Sequence, residues 1–370
     1  KPMIYASIVS RQSFFQSIAV SFVGTSIVPP ADVESTSNNE SKNSLQLVPN
    51  TVENGQNKFH LHSNAINAPQ SSLPLENKME LASYLVRKYV DEYLKEDPAM
   101  AGSLLRLAFH DAATREERTE RNNAGYFTGG PNGSIQYELL WNENRGISRP
   151  LEVVQKIQYQ VNEDLKNHYK LSLVDCIALA GAQAVQSAGG PVIAIKMGRN
   201  DVAKADPKEK RNILQKETSR SLVDTTLPSP GLDSDGLRLY FGALGLSEEE
   251  FVSLCGAHDL GRHVTLLNMP KECLKNLTRQ CLEEAPVLMP FISENPDQFS
   301  NIYFQKLLKW YDREVSIGEV AFIPTDVDLV VDEGLRSFVE RFARDEDRFF
   351  DKFTDAYVKL VDVGTKSRGK

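Results

Sequence analysis

The sequence predicts a mainly α-helical protein. Apolar residues recur at three- and four-residue steps in six or more segments, which is the period of a helix face. Gly- and Pro-rich stretches punctuate them, and only Val192–Ile195 reads as a short strand.

The first seventy-five residues stand apart. Asn38 to Asn67 has no helical or strand period and lacks the apolar density that offsets chain entropy, so it reads as disordered. Ahead of it, Arg11 precedes a mildly apolar run from Ile18 to Val28 and then Pro29-Pro30-Ala31. That run is too short and polar to span a bilayer. A basic residue, an apolar run and small residues together resemble an export or plastid targeting signal. A plain disordered tail is the alternative. Residues 1–75 are therefore set apart from a domain over 76–370.

From Glu76 to Leu94, Met79, Leu81, Leu85, Val86, Val90 and Leu94 make a helix face, stopped by Pro98. Residues 99–112 form a second, strongly apolar helix. The charged run Arg115 to Asn123 leads into the turn-rich Gly129-Gly130-Pro131-Asn132-Gly133. Helices are predicted over 150–168 and 172–187, the latter closed by Gly189-Gly190-Pro191. A long loop over 200–231 precedes helices at 233–244, 247–260, 299–311 and 326–361. The segment 262–298 has no clear period. There is no internal repeat.

Composition narrows the function. With 42 Lys+Arg against 50 Asp+Glu the net charge is −8, which disfavours a nucleic-acid partner. Four cysteines in 370 residues exclude a disulfide-dense scaffold. Cys176 and Cys255 fall in helices and read as buried thiols, whereas Cys273 and Cys281, eight apart, can pair in an oxidising compartment. Any histidine-dependent chemistry must draw on His60, His62, His110, His168, His258 or His263.

Two of these sit in notable surroundings. His110 follows Arg106 by four positions, so both lie on one face of an otherwise apolar helix. Such a pair is costly unless it is partnered or faces a cavity, although a satisfied core histidine beside a snorkelling arginine is the blander account. His258 lies in Leu254-Cys255-Gly256-Ala257-His258-Asp259-Leu260-Gly261, where small residues let a planar group, or simply another helix, approach the backbone.

Leu105-Arg106-Leu107-Ala108-Phe109-His110 resembles the distal-histidine helix of plant-type haem peroxidases. Gly129 to Ile135, Glu138 and Asn144-Arg145-Gly146-Ile147 are similar to the loops that follow it in ascorbate peroxidases. Leu179-Ala180-Gly181, Gly189-Gly190-Pro191 and Gly198-Arg199-Asn200-Asp201 match further landmarks, and Leu227-Pro228-Ser229-Pro230 is closer to the secreted plant branch. Leu254 to Gly261 resembles the proximal-histidine motif, and Ile323-Pro324-Thr325-Asp326 the segment of the proximal aspartate. Asp345 to Phe350 resembles the C-terminal end of the ascorbate branch. The resemblance spans about residues 77–364 in order. It is closest to the ascorbate peroxidase-like plastid group.

That resemblance implies a fold in which distal and proximal helical halves enclose one haem b. His258 is then the axial iron ligand and Asp326 its hydrogen-bond partner. Arg106, His110 and Asn144 serve the peroxide side, and Phe109, His258 and Phe291 contact the cofactor. Taken singly, Asp326 also suits a helix N-cap and Asn144 a turn beside Gly146. His60, His62, His168 and His263 need no role beyond solvated or loop side chains.

Departures from the family matter too. Phe109 stands where ascorbate peroxidases carry Trp. Phe291 or Ile292 occupies the region of their proximal Trp, while Trp141 and Trp310 fall elsewhere. The ascorbate-binding arginine aligns with Leu267, which removes charge-assisted hydrogen bonds to an anionic substrate. Lys271, Lys275 and Arg279 lie nearby, either as charge for a substrate or as a solvated face. Asp259 replaces a Thr that helps bind a cation; with Ser293 and Asn295 it offers hard oxygen ligands, or it is a plain surface carboxylate. Asp111 resembles a calcium ligand of the secreted branch, but its companion residues are absent and no distal calcium is expected.

The expected function is a haem peroxidase that reduces hydrogen peroxide and oxidises a small aromatic or phenolic reductant, less readily ascorbate. The alternatives are a peroxidase-fold plastid protein without turnover and a specialised oxidase of plant secondary metabolism. The implied location is the chloroplast.

Overall fold

The computed structural model describes residues 74–119, 125–166, 168–206, 227–228, 230–264, 288–316 and 319–362. The expectations for the N-terminal tail to residue 73, His60, His62, Leu267, Cys273, Cys281 and the nearby basic residues lie outside them.

The chain opens with α1 (Leu75–Glu96), whose Leu81, Val86, Val90 and Leu94 form the buried stripe that the spacing predicts. Asp97 and Pro98 separate it from α2 (Met100–Ala112). An antiparallel hairpin follows, β1 (Glu116–Thr119) against β2 (Gly125–Thr128), in register from Glu116 opposite Thr128 to Thr119 opposite Gly125. The charged composition of this segment hides it from a pattern reading. Two 3-10 turns, Ser134–Tyr137 and Asn142–Asn144, lead to α3 (Ser148–Asp164) and α4 (Leu173–Ser187). α3 stops four residues before its expected end, where Lys166 takes a left-handed backbone (φ 48°).

α4 is the buried centre of the first half: every residue from Leu173 to Val185 is buried, and α1, α2 and α3 all pack on it. Close approach explains Gly181, since a Cβ there would meet the Tyr357 hydroxyl at 2.3 Å and Ala108 Cβ at 2.8 Å. Asp201 caps the start of α4 through the Leu173 and Val174 amides, both at 2.8 Å. The expected strand at Val192–Ile195 does not form. Its Ile193 carbonyl instead takes a hydrogen bond from buried Arg87, 2.6 Å away.

The second half comprises α5 (Ser234–Ala243), α6 (Glu248–Cys255), a 3-10 turn Gly256–Asp259, and the short antiparallel pair β3 (Arg262–Val264) and β4 (Leu288–Pro290). Then come α7 (Ile302–Tyr311), α8 (Pro324–Val331), α9 (Glu333–Arg344) and α10 (Glu346–Asp362). The single helix expected over 326–361 is thus three. Asp332 and Asp345 break it, because each carboxylate caps a new start by accepting an amide hydrogen, from Leu335 and Arg348 respectively, at 3.0 Å.

The halves meet where α10 packs on α2 and where α2 touches the 3-10 turn. At the latter, a Cβ on Gly102 would lie 2.2 Å from the Leu260 carbonyl oxygen, so only glycine permits that approach. Arg199 bolts the end of α10 down: Nε donates to the Val361 carbonyl at 2.8 Å, Nη1 pairs with Asp175 at 2.9 Å, and Nη2 pairs with Asp362. Among the described residues no helix is long and apolar enough to cross a membrane.

Candidate active site

α2 supplies one side of the site. All its residues are buried except Arg106 and Phe109, which stay partly accessible on the same side as His110. His110 is 7% exposed, and its Nδ1 lies 2.7 Å from Asn144 Oδ1. The amide orientation is set independently, because Asn144 Nδ2 donates to the Glu138 carbonyl at 3.0 Å. Oδ1 must then face His110 as an acceptor, so Nδ1 carries the proton and Nε2 holds a lone pair. Burial, with the Arg106 charge next, holds the His110 pKa well below its usual value, and the imidazole is neutral at pH 7.

Arg106 donates to two carbonyls of the loop that carries Asn144, through Nη1 to Arg145 at 2.8 Å and Nη2 to Glu143 at 3.0 Å. Burial lowers its pKa to about 9, which still leaves it charged at neutral pH. Phe109 meets His110 edge-on at 6.0 Å and packs on Phe241. Asp111 turns away and accepts the Gly133 and Ile135 amides at 3.1 and 3.3 Å, so it ties α2 to the Gly-rich loop. Glu138 Oε1 accepts the Asp206 amide at 2.8 Å. Burial raises both carboxyls to about 7.

A second cluster is built on the 3-10 turn after α6. His258 Nδ1 donates to Asp326 Oδ1 at 2.7 Å; the His258 side chain is 27% exposed and that of Asp326 only 1%. Phe291, fully buried, stacks on the His258 ring at 4.3 Å and 14°. Of the two candidates for that place, Phe291 and Ile292, it is Phe291, and it backs His258. Asp326 Oδ2 accepts the Ile323 amide at 2.9 Å. Asp326 therefore sits three residues into the start of α8, not at its N-cap, and combines helix-end and histidine-holding roles. Tyr303 on α7 adds a contact that no spacing signals: its hydroxyl donates to the same Asp326 Oδ1 at 2.6 Å.

Asp259 is not a surface carboxylate. It is 2% exposed, accepts both the Ser300 amide (2.7 Å) and hydroxyl (3.0 Å), and is pushed to about 7 by burial. Ser293 turns elsewhere, donating to the Glu319 carbonyl at 2.9 Å. Asp259 thus pins the start of α7, and among the described residues no group of three or more His, Cys, Asp or Glu is arranged to hold a metal ion. His168 is exposed, as expected. Cys176 is a buried thiol, whereas Cys255 is only partly buried.

The structure brings Arg106, His110 and Asn144 together in one cluster, and His258, Asp326 and Phe291 in a second. Both histidines hold Nδ1 in a hydrogen bond and leave Nε2 without a protein partner among the described residues.

Residues 86–345 match the family model described as Peroxidase. The chain is 33% identical over 267 residues to the Arabidopsis thaliana protein described as "Putative L-ascorbate peroxidase 6", covering 72% of this chain but only 64% of that relative's length. It is 30% identical to the cytosolic L-ascorbate peroxidase 1 of Oryza sativa subsp. japonica, over 81% of this chain and 98% of that protein. It is 27% identical to the mitochondrial cytochrome c peroxidase of Emericella nidulans, over 80% and 73% respectively.

Proposed function

Since the chain belongs to the peroxidase family, we propose that it is a haem peroxidase that reduces hydrogen peroxide and oxidises a small aromatic or phenolic reductant. One observation carries the reading: two histidines, one from each helical half, each with Nδ1–H held by a fixed oxygen and Nε2 left basic.

The residues present suit haem b. Arg106 and Phe109 in α2, and Cys255, Ala257 and His258 around the 3-10 turn, are the accessible positions of otherwise buried segments. They offer His258 Nε2 as an imidazole donor beside small and aromatic residues, and no group of three or more His, Cys, Asp or Glu is arranged to hold a metal ion among the described residues, which fits a porphyrin iron rather than a multi-ligand metal site. His258 would hold the iron through Nε2, Phe109 would help enclose the cofactor, and Phe291 stacks on the His258 ring. When bound, the haem supplies the iron that binds peroxide and stores its oxidising equivalents.

The protein's own part is proton handling and charge. His110 Nε2 accepts a proton from hydrogen peroxide and returns it to the departing oxygen. The Arg106 guanidinium stabilises negative charge as that oxygen leaves. Its anchoring to the Glu143 and Arg145 carbonyls holds it in place beforehand. Asn144 keeps His110 in the required tautomer, and Asp326 does the same for His258.

The reductant follows from the departures. Leu267 stands where the ascorbate-binding arginine aligns, so an anionic donor lacks that partner, whereas a neutral aromatic needs none. The absorption spectrum of haem-loaded protein tests the core of the proposal: the Soret band should shift with one equivalent of peroxide, and a static band refutes turnover. Steady-state assays should favour guaiacol over ascorbate, and efficient ascorbate oxidation would reverse the reductant assignment.

We propose a plastid location from the basic-then-apolar N-terminal pattern. A fluorescent fusion of residues 1–75 that stays outside chloroplasts would refute it.

A further inference from the structure

Asp326 Oδ1 has two donors, His258 Nδ1 at 2.7 Å and the Tyr303 hydroxyl at 2.6 Å, while Oδ2 takes the Ile323 amide. We infer that Tyr303 is a positioning residue for the proximal histidine: by donating to the oxygen that accepts the His258 proton, it limits how far the carboxylate draws that proton away. This rests on the haem peroxidase reading, in which His258 Nε2 is the iron ligand.

The physical basis is competition for one charge. A carboxylate oxygen that receives a second short, charge-assisted hydrogen bond has less electron density for the first. With less pull on Nδ1–H, the imidazole keeps less anionic character, and Nε2 is a weaker donor. The axial ligand's basicity is a main lever on haem potential. Tyr303 thus sets an upper limit on a lever that Asp326 alone would push further.

The phenol is well fixed for this. Tyr303 is fully buried, and its ring meets His258 (6.0 Å, 83°), Phe304 (5.0 Å, 76°) and Phe322 (5.8 Å, 84°) edge-on. Its hydroxyl lies 2.6 Å from a carboxylate oxygen, which can only accept, so the phenol is the donor in that bond. Removing only the hydroxyl leaves these ring contacts in place.

The test uses the full chain loaded with haem b, read by the Fe(III)/Fe(II) midpoint potential and by the Fe–His stretching band of the ferrous form. In Tyr303→Phe the potential should move negative and the band to higher frequency. Site-specific 3-fluorotyrosine at position 303, a stronger donor of nearly the same shape, should move both the opposite way. Opposite signs separate tuning from general disturbance of the pocket. If wild type shows the Fe–His band and the two variants leave it unmoved, or shift it in the same direction, the inference is overturned. If wild type shows no such band, the haem peroxidase reading itself fails.

Discussion

His110 and Asn144 share a 2.7 Å hydrogen bond whose direction is imposed from outside the pair, by the Glu138 carbonyl that takes the other end of the Asn144 amide. The basic nitrogen of His110 is therefore chosen by a loop, not by the histidine itself. Asn144→Val should leave haem binding intact and lower the rate constant for peroxide by roughly 10- to 100-fold, the usual cost of losing such an orienting partner. Stopped-flow mixing with peroxide measures it. His110→Leu should lose about 10²–10⁴-fold, the contribution of a positioned base; an unchanged rate would remove His110 from the proposal.

The pH profile should be broad on its acid side. Burial and the neighbouring Arg106 both oppose a proton on His110, so the base stays free well below the ordinary histidine range. The rate with peroxide should be flat from neutral pH down through 6.5 and fall only under that. In Arg106→Leu the acid limb should move up, because one of the two lowering causes is gone, while the plateau drops by roughly 10²–10³-fold with the lost charge stabilisation. A limb that stays put would mean Arg106 does not face the imidazole.

Arg199 and Asp175 form an ion pair in which both side chains are at most 2% exposed. Truncating one partner strands the other charge in the core, at a cost of about 3–5 kcal/mol. Arg199→Leu should therefore lower the urea midpoint strongly while leaving the site residues untouched, since its other partners are the Lys196 carbonyl and Val361 and Asp362 at the end of α10. The double variant Arg199→Leu with Asp175→Leu should recover much of the loss.

Asp111 and Glu138 carry a second pH signature, in stability. Burial raises both to about 7, from ordinary values of 3.8 and 4.5. The folded state thus keeps protons that the unfolded chain gives up, so each group's contribution is full below its unfolded pKa and is lost as pH rises to about 7. Measured by thermal unfolding, the advantage of wild type over Asp111→Asn should be largest near pH 4, shrink up to pH 7 and stay level above it. A difference independent of pH would show that Asp111 is charged in the fold.

Much of this was legible in the sequence. α1, α2 and α4 follow from apolar period and Gly/Pro punctuation, because burying one face of a helix writes a local repeat into the chain. Arg106 and His110, four apart on an apolar helix, are visible for the same reason. Asn144, His258 and Asp326 needed the family resemblance, because each taken singly also suits a turn, a packing site or a helix start.

Local chemistry that competes with period escapes a pattern reading. The break at Asp332 and Asp345 is a capping signal, yet the apolar spacing runs on through it. The β1–β2 hairpin carries too little apolar alternation to be seen.

What the sequence by itself determined is the set of helices and the order of the chemical residues along them. What only the tertiary structure decided is which oxygen each of them reaches. Glu138 choosing the His110 tautomer, Tyr303 joining His258 on Asp326, and Asp259 turning to Ser300 all depend on partners brought in from other segments. Hydrogen bonds act over about 3 Å with strict direction, whereas sequence spacing constrains only the face of an element.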